Sequence, residues 1–347
     1  MIQNSITEEI GNTPVTCLNG LLPSHAADIY IKMEGFNPGG SVKDRPALNM
    51  ILEAEKCGQL KPNGTIVEST SGNLGSALAM IAAARGYRCV IVVDPRTSRQ
   101  NIAMIKAFGA EVDMVTEMNP RDGTYQEARI RRAKCLAETM PNAYMPWQYG
   151  NKNNPLAHID TTAREILDDF PEGPDALVAS VSTAGQITGI AQGLRRKKAK
   201  TITCAVDVEG SVIFGGKKGP TAVTGMGLGW VPENLDENVV DEAYQVSTMM
   251  CFSASRIIAR KFGILLGGSS GAALAVAVSA ALRLGKGKTV LAICPDRGEK
   301  YLDEFYDDDW MRRHRFSTDD DLDMFIQNAG ELRAFRFPAR ELSARAS

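Results

Sequence analysis

Short apolar runs alternate along this chain with longer, often alanine-rich segments. Apolar runs of about four to eight residues between turn residues are typical of buried strands, and longer segments are typical of helices. The pattern predicts strands at about 29–34, 65–69, 89–94, 112–116, 176–181, 201–207 and 289–294. It predicts helices at about 47–54, 76–85, 98–108, 124–139, 155–169, 249–262 and 272–284. Because strands that alternate with helices form βαβ units, we expect an α/β fold with parallel sheets.

Three stretches interrupt this alternation. Segment 141–150 is rich in Pro, Asn and aromatic residues, and segment 209–233 is rich in Gly. From about 315 the chain is charged and weakly patterned, so we expect residues 315–347 to form a peripheral or partly disordered tail. A chain of 347 residues is long for one hydrophobic core, and two domains are therefore expected.

Composition narrows the functional classes. The net charge of −2 gives no sign of a nucleic-acid partner, and the apolar runs are too short or too Gly-rich to predict a membrane span. The N-terminal residues lack the basic and apolar regions of a signal peptide. The seven cysteines are scattered without a CxxC pair, which predicts reduced thiols rather than disulfides or a zinc site. We therefore expect a cytoplasmic protein without a bound metal.

One lysine follows a turn that precedes a predicted helix. Segment 37–46 reads NPGGSVKDRP; its first proline fixes one φ and its glycines allow positive φ, which predicts a tight turn. Ser41 is a candidate N-cap, which places Lys43 in the first helical turn. The helix dipole disfavours a positive charge there, so a buried Lys43 would have a lowered pKa and could act as an amine nucleophile. For a single lysine, solvation is the simpler interpretation.

Small polar residues also cluster in loops where predicted helices begin. Such loops expose backbone N–H groups to anions. Segment 182–186 (STAGQ) is the best phosphate candidate, although it lacks the P-loop lysine and the glycine pattern of a dinucleotide site. Segment 70–73 (TSGN) suits a carboxylate, and segment 268–271 (GSSG) could face a heterocyclic nitrogen. Each could equally be a set of helix caps. Segment 225–229 (GMGLG) could close over a substrate or be only a loop.

These loops, in this order, resemble the fold-type II pyridoxal 5'-phosphate (PLP) enzymes, in particular the cysteine synthase and cystathionine β-synthase family. The resemblance covers about residues 5–312. It rests on NPGGSVKDR at 37–45, TSGN at 70–73, QYGNKNNP at 148–155, GSSGA at 268–272 and PDRGEKYL at 295–302. It implies a tryptophan synthase β-like fold, with two open, twisted, mostly parallel sheets flanked by helices. It also implies a larger PLP-binding domain (1–41 plus 146–314), a smaller mobile domain (42–145) and a homodimer.

The resemblance also implies roles for individual residues. Lys43 would be the Schiff-base lysine and the base for the substrate's Cα proton. The PLP phosphate is expected at Ser182, Thr183, Ala184, Gly185, Gln186 and Thr188, the ring 3′-oxygen at Asn73 and the ring nitrogen at Ser269. The substrate is expected at Thr70, Ser71, Gly72, Asn73 and Gln148, with Gly225 in the wall above it. A neutral serine at the ring nitrogen favours β-elimination over transamination.

Within the family, segments 68–75, 93–95, 210–215 and 295–298 are most similar to those of synthases that join O-phospho-L-serine to L-glutamate. Their product, N-(2-amino-2-carboxyethyl)-L-glutamate, leads to L-2,3-diaminopropionate in siderophore biosynthesis. The phosphate-loop sequence and Leu74 depart from the cysteine synthase pattern. Arg129 is the candidate partner of the glutamate carboxylates, with Tyr149 and Ser182 as secondary candidates. Arg129 could equally be solvated, like Arg131 and Arg132.

Three other functions are alternatives. A cysteine synthase would use O-acetylserine or O-phosphoserine with sulfide. A non-catalytic PLP scaffold would sense an amino acid without turnover, although the presence of Lys43, Asn73 and Ser269 disfavours it. An NAD-dependent dehydrogenase is disfavoured because the dinucleotide fingerprint is missing.

Overall fold

The computed structural model describes residues 3–119 and 125–334, and within these ranges ten strands form two sheets. The larger sheet has six strands in the order β1 (Val15–Cys17), β2 (Asp28–Met33), β10 (Thr289–Cys294), β7 (Ala176–Ser180), β8 (Ile202–Val208) and β9 (Glu242–Val246). Its neighbouring strands are parallel except β1 and β2. The smaller sheet has four parallel strands in the order β5 (Glu111–Met114), β4 (Arg88–Val93), β3 (Thr65–Ser69) and β6 (Ala143–Tyr144).

Helices follow most strands and pack on the sheets. Within the described residues they are α1 (Asp44–Lys56), α2 (Asn73–Arg85), α3 (Arg99–Ala107), α4 (Gln126–Thr139), α5 (Asn153–Asp160), α6 (Thr162–Asp169), α7 (Gly185–Arg196), α8 (Thr248–Phe262), α9 (Gly268–Leu284), α10 (Asp308–Arg313) and α11 (Leu322–Gly330). The predicted α/β class, with two mostly parallel sheets flanked by helices, is confirmed.

Burial explains why the apolar runs form these elements. All five residues of β3 and of β7 are buried, as expected for parallel strands covered on both faces. Helix α9 has no polar face over its first fourteen residues, which are all buried, and it packs between α8 and the six-stranded sheet. A helix that is apolar all round can be stable only in such an interior position.

The two sheets fall on either side of the expected domain boundaries. All strands of the four-stranded sheet lie within 42–145, and those of the six-stranded sheet lie within 1–41 and 146–314. The independent mobility of the smaller domain stays a prediction. Within the described ranges, no helix combines the length and apolar character needed to cross a bilayer.

Several elements differ from the sequence-based expectation. The helix predicted at 155–169 is two helices, because the backbone at Thr161 (φ −119°, ψ −74°) departs from helical geometry. Strands β1, β6 and β9 and helices α10 and α11 are absent from the sequence-based expectation. Strand β6 has only two residues, and β9 (EAYQV) contains Glu and Gln, so neither is a continuous apolar run.

The tail begins with ordered structure. Helix α11 packs against α8 and α9 through Phe325 and Ala329, which are both buried. The segment before it is held by an ion pair in which Arg256 Nε lies 2.8 Å from Asp320 Oδ2. Residues up to 334 are therefore part of the larger unit, although they lie at its periphery. The expectation of partial disorder for 335–347 lies outside the described residues.

Candidate active site

A cavity lies where the loops after β3, β7 and β10 meet the first residues of α2, α7 and α9. Of the residues assigned from the sequence, those lining it are Lys43, Thr70, Ser71, Gly72, Asn73, Arg129, Gln148, Tyr149, Ser182, Thr183, Ala184, Gln186, Gly225 and Ser269. Gly185 and Thr188 lie next to this lining, and their contact with a ligand stays a prediction, as do the binding roles of the others. The fold thus brings together loops that are far apart in sequence, as expected for the carboxyl edge of parallel sheets.

Three helices at the cavity begin without a side-chain cap. The residues preceding α2, α7 and α9 are Gly72, Ala184 and Gly267, and no side chain of the described residues accepts a hydrogen bond as their N-cap. Ser98 caps α3 and Ser247 caps α8, whereas α1, α4, α5 and α6 also begin without a side-chain cap. At the cavity the Thr70 hydroxyl accepts the Gly72 N–H (3.3 Å), but the three N-cap positions give no support to the capping interpretation of these loops. Their polar groups and the first-turn N–H groups stay available to a ligand.

Lys43 immediately precedes α1 and occupies its N-cap position, two residues after the predicted N-cap Ser41. The Val42 N–H donates to Pro295 O (2.8 Å), which holds this segment against the loop after β10 and delays the start of the helix. The Lys43 N–H donates to Ser41 Oγ (3.2 Å). Burial lowers the pKa of the Lys43 amine to about 8, although the nearby Asp296 carboxylate raises it. The neutral, nucleophilic amine is therefore accessible near neutral pH.

The loop between β7 and α7 has the features of an anion site. Ala184 adopts φ 61°, a left-handed value that only a constrained non-Gly residue keeps, and it turns the chain sharply into α7. A Cβ at Gly185 would collide with the Asn154 side chain. Gln186 Nε2 is buried at the cavity and has no hydrogen-bond partner within 3–119 and 125–334. A buried unpaired donor beside a helix N-terminus fits an anion such as a phosphate.

Both threonines of this region also contact neighbouring segments. Asn154 Nδ2 donates to Thr183 Oγ1 (3.2 Å), which ties the loop to α5. The Asp236 N–H donates to Thr188 Oγ1 (3.2 Å), so the Thr188 hydroxyl lies against the chain that precedes β9. These contacts fix the loop while leaving its backbone N–H groups near the cavity.

The Asn73 side chain is held by residues from the larger sheet. Its Nδ2 donates to Asp296 Oδ2 (2.7 Å), and its Oδ1 accepts from Lys300 Nζ (2.8 Å). The second Nδ2 hydrogen is left for a ligand such as a ring oxygen. Asp296 is a residue that the sequence-based assignment missed, although it belongs to the quoted PDRG motif. Its position directly after a buried strand was the available signal.

Arg129 is buried rather than solvated. Only 7% of the residue is exposed, and Nε lies 2.9 Å from Asp94 Oδ2. The contact between Nε and Oδ2 lacks hydrogen-bond geometry. Neither Nε nor Nη1 of Arg129 has a hydrogen-bond partner among the described residues. Its helical neighbours Arg131 and Arg132 are exposed and pair with Glu117 and Asp113. The cavity lining therefore contains a guanidinium that is ion-paired through Nε and keeps an unpaired Nη1 donor among the described residues.

A second buried acid supports this side of the cavity. Glu68, in β3, is fully buried; its Oε1 accepts from the Ser69 N–H (2.8 Å) and its Oε2 from the Gln148 N–H (3.3 Å). Burial raises the pKa of Glu68 to about 7, while the backbone donors and Arg129 oppose this increase. The sequence-based assignment also missed Glu68 and Asp94. An acidic residue near a strand end gives no local indication of the arginine with which it interacts.

Aromatic rings and a glycine-rich loop complete the enclosure. Tyr149 is buried and packs edge-on against Trp147 and Trp230, and burial raises its pKa. The loop containing Gly225 lines the cavity and is anchored where the Gly227 N–H donates to Val181 O (3.3 Å). Segment 225–229 is thus part of the wall; its closure over a substrate stays a prediction.

The residues present fit PLP. A partly buried lysine of lowered pKa at the cavity suits an aldehyde, and the uncapped start of α7 with the unpaired Gln186 amide suits a phosphate. Ser269, buried at the start of α9, supplies a neutral hydroxyl at the same cavity.

Known proteins are similar to this chain in sequence and in fold. The family described as "Pyridoxal-phosphate dependent enzyme" matches residues 6–296. A probable cysteine synthase of Bacillus subtilis (strain 168) is 43% identical over 297 residues, or 84% of this chain and 94% of that protein. Cystathionine beta-synthase of Mus musculus is 40% identical over 323 residues, or 91% of this chain and 57% of that protein. Among solved structures, O-ureido-L-serine synthase gives a TM-score of 0.83 at 38% identity, covering 90% of this chain and 100% of that one.

Proposed function

The chain belongs to the family of pyridoxal-phosphate dependent enzymes, as a β-replacement enzyme of the cysteine synthase group, and on this premise we propose that it joins O-phospho-L-serine to L-glutamate. The products are N-(2-amino-2-carboxyethyl)-L-glutamate and phosphate. This reaction would supply L-2,3-diaminopropionate for siderophore biosynthesis. Membership of an enzyme family confirms the prediction of an enzyme over a non-catalytic sensor.

The main observation in support of this proposal is the buried guanidinium of Arg129. Sulfide is small and needs no cationic partner, whereas glutamate brings two carboxylates into the site. An arginine at the cavity whose Nη1 is buried without a hydrogen-bond partner in the described chain, while its Nε is ion-paired with Asp94, is suited to a carboxylate. Asp94 holds the Arg129 side chain at the wall without using all of its donors. Tyr149 and Ser182, which line the same cavity, are secondary partners.

Other residues of the cavity would act on the first substrate. PLP, when bound, withdraws electron density from the amino-acid substrate, so that the Cα proton and the β-leaving group can depart. Thr70, Ser71 and Gln148 would bind the substrate carboxylate, because their polar groups line one side of the cavity and α2 begins there uncapped. The Lys43 amine would take the Cα proton and later return it.

Cysteine synthesis is the second candidate. The Bacillus subtilis relative is named a probable cysteine synthase, and it aligns over 94% of its length. In that function sulfide would replace glutamate, with O-acetylserine or O-phosphoserine as the donor, and Arg129 would need another role. The departures at segment 182–186 and at Leu74 favour glutamate over sulfide.

Phosphate release separates the two candidates. Purified enzyme would be mixed with O-phospho-L-serine and, in parallel, with L-glutamate, sulfide or neither. The proposal predicts rapid phosphate release with L-glutamate and slow release in the other two mixtures. Release that depends on sulfide and yields cysteine would overturn it. Repeating the panel with O-acetyl-L-serine identifies the donor.

Assembly and location also remain proposals. The family resemblance supports a homodimer, and the scattered free cysteines support the cytoplasm. Light scattering would be expected to give about twice the chain mass of 37.5 kDa. A mass equal to one chain would contradict the dimer.

A further inference from the structure

Asp296 lies where three loops of the cavity meet. It follows β10, and its side chain is almost fully buried, with 1% of the residue exposed. The preceding Pro295 accepts the Val42 N–H (2.8 Å), next to Lys43, and the Asp296 carbonyl accepts the Gly267 N–H (3.3 Å), at the start of α9. The Asp296 carboxyl is therefore enclosed by segments that carry groups of the active site.

The carboxylate connects the two sheets through Asn73. Asp296 Oδ2 accepts from Asn73 Nδ2 (2.7 Å) and from the Tyr301 hydroxyl (2.6 Å). Lys300 Nζ holds the other end of the Asn73 amide (2.8 Å). Asn73 starts α2 beside the four-stranded sheet, whereas Asp296, Lys300 and Tyr301 follow β10 of the six-stranded sheet. The amide of Asn73 is thus oriented by the opposite side of the cavity.

The second carboxylate oxygen is buried and unused. Asp296 Oδ1 has no hydrogen-bond partner in the part of the chain that the structure describes. A Cβ at Gly267 would collide with this oxygen, so the chain keeps a glycine there to accommodate the carboxylate. An unpaired buried carboxylate oxygen costs free energy, and such a cost is typical of functional sites.

The charge of Asp296 also acts on Lys43. Burial lowers the pKa of Lys43, and the Asp296 carboxylate is the group that opposes this decrease. His158 has a pKa lowered by burial and then by Arg45 and Lys43, so the imidazole is neutral. Among the described residues, the titratable groups near Asp296 also include Lys300, which binds the other end of the Asn73 amide, and Cys294, Tyr301 and Tyr306, whose pKa values are raised mainly by burial. Asp296 is therefore the group whose negative charge acts on the Lys43 amine.

We propose that Asp296 is a positioning residue that fixes the Asn73 amide at the cavity wall and places a negative charge beside the Lys43 amine. It acts through Asn73 and Lys43 and not on the reacting atoms themselves. The proposal does not depend on whether glutamate or sulfide is the nucleophile, so its failure and the failure of the proposed function are separate results.

The first test measures the protonation of Lys43 directly. Full-length protein freed of PLP would be reductively methylated over a pH series, and methylated Lys43 would be quantified by peptide mass spectrometry. In Asp296→Asn the midpoint is expected to fall by about 1 pH unit, because the opposing charge is lost. In Tyr301→Phe, which removes a hydrogen bond but leaves the charge, the midpoint should not move. A wild-type midpoint in Asp296→Asn would overturn this part of the proposal.

The second test measures coupling through Asn73. Affinity for pyridoxine 5'-phosphate, which lacks the aldehyde and therefore reports binding without a bond to Lys43, would be determined by fluorescence titration for Asn73→Ala, Asp296→Asn and the double variant. If Asp296 acts on the cofactor through Asn73, the double variant should bind this analogue no more weakly than Asn73→Ala alone. Multiplicative losses would contradict the positioning role. If Asp296→Asn unfolds at too low a temperature, Asp296→Ser, which is smaller and also uncharged, replaces it in both tests. The same fall in the methylation midpoint and the same non-additive loss of affinity are expected.

Discussion

Two walls of one cavity are built in different ways. The cofactor wall, defined here as Lys43, segment 182–186 and Ser269, presents an amine, backbone N–H groups and hydroxyls at uncapped helix starts. The wall that the proposal assigns to the second substrate (the second-substrate wall) is formed by Arg129 and Tyr149, which line the cavity, and is supported by the buried acids Asp94, which is ion-paired with Arg129, and Glu68, where Arg129 opposes the rise in pKa caused by burial. In the first, each group is exposed by local chain geometry at the start of a helix, although distant contacts such as Val42 N–H to Pro295 O bring the parts together. The second depends on charged residues from different elements that pack together. Such a wall can differ between relatives that bind the same cofactor.

The largest effect is expected at the cofactor wall. Replacement of Lys43 by Ala removes both the amine that bonds PLP and the base for the Cα proton, so turnover should fall by at least about a thousandfold. Steady-state phosphate release and the visible absorption of bound PLP would measure this loss. Lys56→Ala is the matched control, because Lys56 lies on the same helix but is exposed. A Lys43→Ala enzyme with more than a tenth of wild-type turnover would contradict the assigned role.

A smaller and more selective effect is expected at the second-substrate wall. Arg129→Met should raise the KM for L-glutamate about tenfold to a hundredfold, since hydrogen bonds to charged groups contribute about 1.5–3 kcal/mol. PLP binding should be unchanged. Arg131→Met, on the exposed face of the same helix, should behave as wild type. If Arg129→Met and Arg131→Met both keep the wild-type KM for glutamate, Arg129 does not bind the glutamate carboxylates.

The phosphate loop offers an intermediate test of the cofactor wall. In Gly185→Ala the new Cβ meets the Asn154 side chain, which itself donates to Gln148 O and Thr183 Oγ1. The required shift should cost about 1–3 kcal/mol and weaken PLP binding about tenfold. Gly219→Ala is the control, because a Cβ there makes only an ordinary contact. Unchanged PLP affinity in Gly185→Ala would show that the loop tolerates displacement and does not fix the phosphate.

The smallest effect on turnover is expected at Glu68, where the pH dependence of stability is the sensitive measurement. Its folded-state pKa of about 7 exceeds the ordinary value of 4.5, so folding favours the protonated carboxyl. The contribution is complete below pH 4.5 and is lost as pH rises to about 7, a change of about 3 kcal/mol at 1.4 kcal/mol per pKa unit. Glu68→Gln should therefore flatten the urea-unfolding free energy between pH 4.5 and 7. An identical slope in both proteins would show that Glu68 is ionised throughout.

The same contrast explains what could be read from the sequence. The cofactor wall was predictable because each of its loops is a short motif at a helix start, where local chain geometry decides what the backbone exposes. Long buried strands such as β4 and β10 were predictable from continuous apolar runs. Strand β9 and helix α11 were not, because their burial depends on partners distant in sequence.

The second-substrate wall was predictable only in part. Arg129 was singled out as a basic residue on a predicted basic helix, but its burial against Asp94, 35 positions earlier, is a tertiary result. The same holds for Asp296, which reaches Asn73 across 223 positions. Local patterns do not reveal which buried charges will pair, since that depends on how the two sheets face each other.

A competition between nucleophiles tests the central claim most directly. Wild-type enzyme would receive O-phospho-L-serine with equal concentrations of L-glutamate and sulfide, and the products would be separated and weighed by mass spectrometry. The account predicts N-(2-amino-2-carboxyethyl)-L-glutamate as the dominant product, and a shift away from it in Arg129→Met but not in Arg131→Met. Cysteine as the dominant wild-type product, unaffected by Arg129→Met, would contradict the account.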